Sequence, residues 1–205
     1  LESAGYVEIT RDVLRQYGIR TLETETGFFI PGGQQYVAPK MLDVEQDWSS
    51  AAVWITMNYL GARIICDVMN MNSLQPDSAI ENMLGKLGQT MCVSQCPDLF
   101  PVLAIAAGAY CGKTVFTGIK RLSLKESAME RVLAQFGIKT KAEKDEFCVW
   151  GTGRRFIGNV TVPTEGDHRI AMATAIGAML ADGPVAIQDY ECAQKSYPDF
   201  WIFCV

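Results

Sequence analysis

The stretch Gly166-Asp167-His168-Arg169 opens directly onto an apolar run from Ile170 to Leu180. Asp167 has the type and place of a helix N-cap, accepting from the first free backbone N–H groups. His168 and Arg169 then fall in the first turn, where the partial positive charge of a helix start favours anions over an arginine. An Arg set there against that preference suits an anionic ligand gripped by guanidinium and helix terminus together. The same residues also describe a capped core helix with a surface arginine. Asp98 stands between Pro97 and Pro101 at the mouth of a second apolar helix. A partly desolvated carboxylate there suits proton transfer, with an N-cap aspartate as the plainer alternative. Lys125 and Glu126 sit at a strand-to-helix turn, where they could bind a phosphate and shuttle a proton or form a solvated helix start. Lys195 precedes an aromatic, proline-broken segment. Lys195, Arg169 and Lys125 together would make a cationic pocket in an acidic protein, and such a pocket attracts phosphates and carboxylates. Ser3 and Tyr6 add hydroxyl donors near the start of the chain.

Two interleaved patterns position these residues. In the first, an apolar helix, a glycine and a β-rich run recur: Ser50 to Leu60, Gly61, then Ala62 to Val68; Pro101 to Cys111, Gly112, then Lys113 to Ile119; Ile170 to Asp182, Gly183, then Pro184 to Tyr190. Helices apolar all round are buried, and each glycine suits the position after a helix, where φ is positive. In the second, a shorter amphipathic helix ends in an aromatic or Leu, then Gly, then a strand: Val13 to Tyr17, Ile80 to Leu87 and Met129 to Phe136 are the helices. Further strands are predicted at Gly27–Ile30, Gln35–Val44, Glu146–Gly151 and Asn159–Val162. The repeating unit is strand, buried helix, strand, amphipathic helix, strand, strand. The fold class is α/β or α+β, with helices inside and several small sheets outside. The opening copy lacks a buried helix, so the chain is expected to begin partway through a unit. The polar stretch Val44 to Ser50, with Asp47 or Ser49 as a helix cap, is the best boundary.

The 205 residues suffice for one or two domains with a real core. Hydrophobic residues at 49% and charged ones at 20% mark a folded chain, and a net charge of −5 argues against a broad nucleic-acid surface. No apolar run approaches the roughly 20 residues of a membrane-spanning helix. The 7 cysteines are an odd count without scaffold spacing, so buried free thiols in a reducing cytoplasm are expected. Cys92 and Cys96 are not spaced as a zinc pair and His168 is the only histidine, so no metal site is expected.

Four stretches, in order, carry a family resemblance: ESAGYVEIT, EQDWSSAAVW, CPDLFPVLAIAA with RLSLKES, and GDHRIAMA with ECAQKSYPDF. Together they resemble the C-terminal half of the 5-enolpyruvylshikimate-3-phosphate synthases, over essentially the whole chain. The resemblance implies βαβαββ units with buried helices, arranged as the inside-out barrel of the enolpyruvyl transferases. Residues 1–45 would belong to the last unit of the other, N-terminal domain, and 46–205 to the C-terminal domain. It implies transfer of the enolpyruvyl group of phosphoenolpyruvate to the 5-hydroxyl of shikimate 3-phosphate. Asp98 and Glu126 become the proton-transferring groups, the first near the shikimate hydroxyl and the second at the methylene carbon. Arg169 and Lys195, with His168 beside them, become phosphoenolpyruvate ligands. Lys125, Ser3 and Tyr6 become ligands of shikimate 3-phosphate. The family uses no metal or organic cofactor, and the expected partners are the two substrates and the N-terminal half, with no nucleic acid, no membrane and a monomeric state.

Three departures bear on activity. The N-terminal half is absent, and with it further cations of a cleft between two domains. The family's Lys-Glu-Ser-Asp-Arg is broken after Ser127, so the following arginine is missing and Arg131 does not take its place. The passage from Met91 to Ser94 is shorter than a strand pair. The chain as given is therefore expected to be inactive by itself. The rivals are UDP-N-acetylglucosamine enolpyruvyl transferase, disfavoured by LKES, GDHRIAMA and KSYPDF, and a non-catalytic remnant that binds an anion or a protein partner.

Overall fold

A computed structural model describes residues 3–66, 69–153 and 155–204. Its centre is helical. α1 (Ala4–Gln16) and the hairpin of β1 (Leu22–Thr24) and β2 (Gly27–Phe29) come first. The three apolar runs form α2 (Trp48–Tyr59), α4 (Phe100–Ala109) and α6 (His168–Leu180), with α3 (Ile80–Leu84) following α2. α4 is buried from Phe100 through Gly108 and α6 from Ile170 through Gly177. α2, α4 and α6 pack on one another, as helices without a polar face must.

The middle of the chain forms one complete unit of the predicted kind. β3 (Thr90–Cys92), α4, β4 (Cys111–Thr117), α5 (Ser123–Gln135), β5 (Lys139–Glu143) and β6 (Glu146–Thr152) follow in order. Their strands make one sheet in the order β3-β4-β6-β5, parallel between β3 and β4 and antiparallel elsewhere. α5 is amphipathic, burying Ala128, Met129, Val132 and Leu133. The last unit is a reduced copy: β7 (Val160–Val162), α6 and β8 (Val185–Ile187), the strands paired in parallel. The short passage from Met91 to Ser94 holds only the end of β3 before a turn.

Phe100 locks α4 to the sheet. It is fully buried and meets Phe116 edge-on at 5.6 Å and Phe147 edge-on at 5.1 Å. Pro97–Leu99 forms a 3₁₀ turn just before it, so this contact also sets the height of Asp98.

Two predicted strands do not form. Gln35–Val44 is irregular, with Tyr36, Met41 and Val44 exposed, and residues 62–66 are irregular with Ile65 fully exposed; Asp67 and Val68 lie outside the described residues. Among the described residues neither stretch has a neighbouring strand, and a ladder needs a partner for its N–H and C=O groups. Side-chain amides serve instead. Asn58 brackets Ile64, its Oδ1 accepting from the Ile64 N–H and its Nδ2 donating to the Ile64 carbonyl, both at 2.8 Å. Gln34, just before the first stretch, brackets the backbone of Arg20 in the same way, and within that stretch Val37 N–H donates to the Tyr17 carbonyl at 2.9 Å. The helix read at Val13 to Tyr17 begins much earlier, at Ala4.

The three glycines also divide. Gly61 follows α2 with φ 106°, as expected. Gly112 also takes a positive φ, 144°, but as the second residue of β4, and Gly183 does not take a positive φ. α4 and α6 instead pass through Tyr110 and Ala181 straight into extended chain. Phe100→Ala should lower unfolding free energy by about 3–5 kcal/mol in denaturant titration, because it removes a fully enclosed ring and leaves a cavity.

Candidate functional site

The site is assembled from helix starts. Asp167 caps α6 as predicted, its Oδ1 accepting from Arg169 N–H at 2.8 Å and from Ile170 N–H at 3.4 Å. That cap fixes the first turn and aims Arg169 across to the start of α4. There Arg169 Nη2 donates to Asp98 Oδ2 at 2.7 Å. Lys125, in the first turn of α5, donates from Nζ to the other oxygen, Oδ1, at 3.1 Å. All three side chains are mostly buried, with 20% exposure at Asp98, 21% at Lys125 and 28% at Arg169. Asp98 makes no capping bond with its side chain. The structure decides against the N-cap alternative: the carboxylate is committed to two cations.

Arg169 also donates from Nη1 to His168 Nε2 at 2.9 Å. A guanidinium has no acceptor, so Nε2 must accept and the imidazole must be neutral, with its proton on Nδ1. The local field agrees. Burial lowers the His168 pKa below its usual value, Arg169 lowers it further, Asp167 opposes, and Lys195 and Lys125 add to the depression. Lys195 itself is exposed at the end of the 3₁₀ turn Tyr190–Lys195, near enough for its charge to act on His168.

Tyr6, in the first turn of α1, donates its hydroxyl to Asp77 Oδ2 at 3.0 Å and feels the charges of Asp98 and Arg169. Ser3 precedes α1 with φ 57° and no side-chain cap bond; the next residue, Ala4, donates its N–H to Gln95 Oε1 at 3.0 Å, tying α1 to the loop before Asp98. Glu126 is not brought to the Asp98 cluster. It lies one residue from Lys125, about 100° round the helix, and its charged neighbours are Asp145 and Glu130. Burial first, then those two carboxylates, raises its pKa.

Sequence reasoning missed Asp77, Ser49 and Asp145. Asp77 follows Pro76 and reads as an ordinary turn, and nothing local announces that it is 1% exposed. Asp145 Oδ1 accepts from the N–H groups of Ile119 and Lys120, steadying the entry to α5. Among the described residues no His, Cys, Asp and Glu side chains gather as a metal would need; no two cysteines are bridged, and Cys92, Cys111 and Cys204 are exposed rather than buried as expected. No helix among them is long and apolar enough to cross a membrane. A separate groove of about 490 Å³, lined by Trp54, Ile64, Tyr197 and Phe203 among others, lacks converging charges and is not the candidate site.

The neutral state of His168 has a pH consequence. Its folded pKa lies below the unfolded value of about 6.5, so the unfolded chain takes up the proton first as pH falls. The stability held by neutral His168 is therefore present above about pH 6.5 and is lost as pH drops below it. In denaturant titrations the parent should lose stability more steeply than His168→Gln between about pH 7 and 5.5; equal slopes would contradict the assignment.

The sequence comparisons agree with this architecture. The family model described as EPSP synthase (3-phosphoshikimate 1-carboxyvinyltransferase) matches residues 1–95 and 88–202. The 3-phosphoshikimate 1-carboxyvinyltransferase of Clostridium acetobutylicum is 35% identical over 224 positions, covering 98% of this chain and 51% of the relative. That of Clostridioides difficile is 30% identical, with the same coverage of 98% and 51%. Each alignment spans 224 positions against 205 residues, so gaps fall inside this chain. The two matched stretches meet over 88–95, where the sequence reads as shortened. The fold matches the EPSP synthase from Acinetobacter baumannii with a TM-score of 0.81 and 23% identity, over 95% of this chain and 52% of that one. It also matches the enolpyruvyl transferase NikO from Streptomyces tendae, with a TM-score of 0.64 and 14% identity over 97% and 52%. The chain spans about half the length of the curated relatives it matches. It belongs to the EPSP synthase (3-phosphoshikimate 1-carboxyvinyltransferase) family.

Proposed function

We propose that this chain is the C-terminal portion of an enolpyruvyl transferase that moves the enolpyruvyl group of phosphoenolpyruvate onto the 5-hydroxyl of shikimate 3-phosphate, a step toward the aromatic amino acids. Family membership and one observation support this reading: a carboxylate, Asp98, held between the cations Lys125 and Arg169 at helix starts. In the proposed reaction the 5-hydroxyl adds to C2 of phosphoenolpyruvate and a proton goes to C3. Loss of phosphate and of a C3 proton then restores the double bond. The alcohol needs a base and the carbon an acid.

Asp98 takes the hydroxyl proton once the anionic substrates draw its two cations away. Glu126 serves C3, and its raised pKa suits a group that must arrive protonated. That role requires Glu126 to face substrate, which it does not do through any contact with the Asp98 cluster. Arg169 and Lys195, beside His168, hold phosphoenolpyruvate; Lys125, Ser3 and Tyr6 hold shikimate 3-phosphate. Residues 1–45 belong to the last unit of an N-terminal domain and 46–205 form the C-terminal domain, whose wall faces the N-terminal half across the cleft. The whole enzyme works as a cytoplasmic monomer without metal or organic cofactor.

The test is complementation. Joined to the N-terminal half of a relative, and with that relative's residues filled in after Ser127 and between Met91 and Ser94, the chain should release phosphate only when both substrates are present, and Arg169→Ala should lower kcat/KM by about 10²-fold or more. The chain by itself should be silent. Turnover by the chain alone, or none after joining, would contradict the proposal.

A further inference from the structure

Beneath the Asp98 wall, two hydroxyls from different helices converge on a single carboxylate oxygen. Tyr6 Oη of α1 donates to Asp77 Oδ2 at 3.0 Å, and Ser49 Oγ, in the first turn of α2, donates to the same atom. Asp77 lies in the 3₁₀ turn Pro76–Ala79 that leads into α3. It is 1% exposed, and its second oxygen, Oδ1, is buried with no hydrogen-bond partner among the described residues. An acidic side chain is costly to bury, more so when half of it is unpaired. Nothing in local structure requires it: Asp47, not Asp77, caps α2, and Asp77 makes no ion pair with the cations above it.

What Asp77 does hold is Tyr6. A tyrosine on the first turn of a helix is otherwise free to swing about its side-chain torsions. Here a cavity of about 620 Å³, lined by Tyr6, Asp12, Asp47, Ser49 and Gln75 among others, lies open beside it. The bond to Asp77 stops that swing and leaves the phenol within the field of Asp98 and Arg169. The shared bond from Ser49 ties the same point to α2, so one carboxyl clamps the start of α1 to the start of α2. Burial favours the neutral acid at Asp77, and a neutral carboxyl accepts both hydroxyls through its carbonyl oxygen without an uncompensated charge.

We propose that Asp77 is a positioning residue for the acceptor side of the site: it anchors the Tyr6 phenol and clamps α1 to α2, so that Tyr6 meets the hydroxylated, phosphorylated ring of the acceptor in one fixed place. That Tyr6 meets the acceptor rests on the proposed function; the clamp does not.

The experiment uses the enzyme with both halves present. Asp77→Ala should raise KM for shikimate 3-phosphate about tenfold, as expected for one lost anchoring bond, with KM for phosphoenolpyruvate and kcat changed less than about threefold. Asp77→Asn should recover most of that loss, because its amide oxygen accepts the same two hydroxyls. In a Tyr6→Phe background, Asp77→Ala should add no further rise in KM. The proposal is overturned if Asn is as impaired as Ala, if the two effects multiply, or if thermal stability falls while the acceptor KM stays put. Should Asp77→Ala not fold, Ser49→Ala with Tyr6→Phe replaces it. Removing one hydroxyl leaves the carboxyl a donor and removing both leaves none, so the double variant's fall in unfolding midpoint should exceed the sum of the single falls; additive falls overturn the clamp. If the parent enzyme does not use shikimate 3-phosphate at all, the functional reading fails, and the midpoint comparison still decides the clamp.

Discussion

The site depends on Asp98 holding Lys125 and Arg169 at once. Each of these three side chains comes from the beginning of a different helix: α4, α5 and α6. Helix starts carry partial positive charge from free N–H groups, and two of these starts also carry a cation. Such a wall repels itself unless an anion lies in it. Asp98 is that anion, pairing with both cations in a mostly buried setting where an unpaired charge would be costly. An anionic ligand can take the same place only by competing for the same two donors, which couples ligand capture to release of the carboxylate.

The rest of the fold serves that convergence. α2, α4 and α6 are apolar all round and pack at the centre, so their starts come together while the sheets cover them from outside. Phe100 pins α4 to β4 and β6 two residues after Asp98. Asp145 steadies the turn into α5, and Asp167 sets the first turn of α6. Tyr6 and Ser49 stand at the starts of α1 and α2, drawn to Asp77. The candidate site is thus a ring of helix beginnings, and its chemistry is spread along nearly the whole chain.

Much of this was legible in order of residues. The buried helices announced themselves by lacking a polar face, and Asp47 and Asp167 by preceding them. The middle unit from β3 to β6 was readable because helix and strand periods alternate there without interruption. Gln35–Val44 and residues 62–66 misled because strand composition says nothing about whether a neighbour exists to pair with. Among the site residues, His168, Arg169 and Asp98 were marked by conflict with local preference: an arginine at a helix start, an acid between prolines. Asp77 carried no such mark, since its burial is created by elements distant in sequence. Glu126 was read correctly as a helix-start acid, yet its place beside Asp145 and Glu130 follows from the angle between successive helix residues and from the β5–β6 turn.

The most direct test of the Asp98 hub is a double-mutant cycle on unfolding free energy with Asp98→Asn and Arg169→Gln. A shared, mostly buried ion pair predicts a coupling of about 1 kcal/mol or more between the two substitutions. A coupling indistinguishable from zero would mean that the two side chains do not meet, and the wall on which the account rests would not exist.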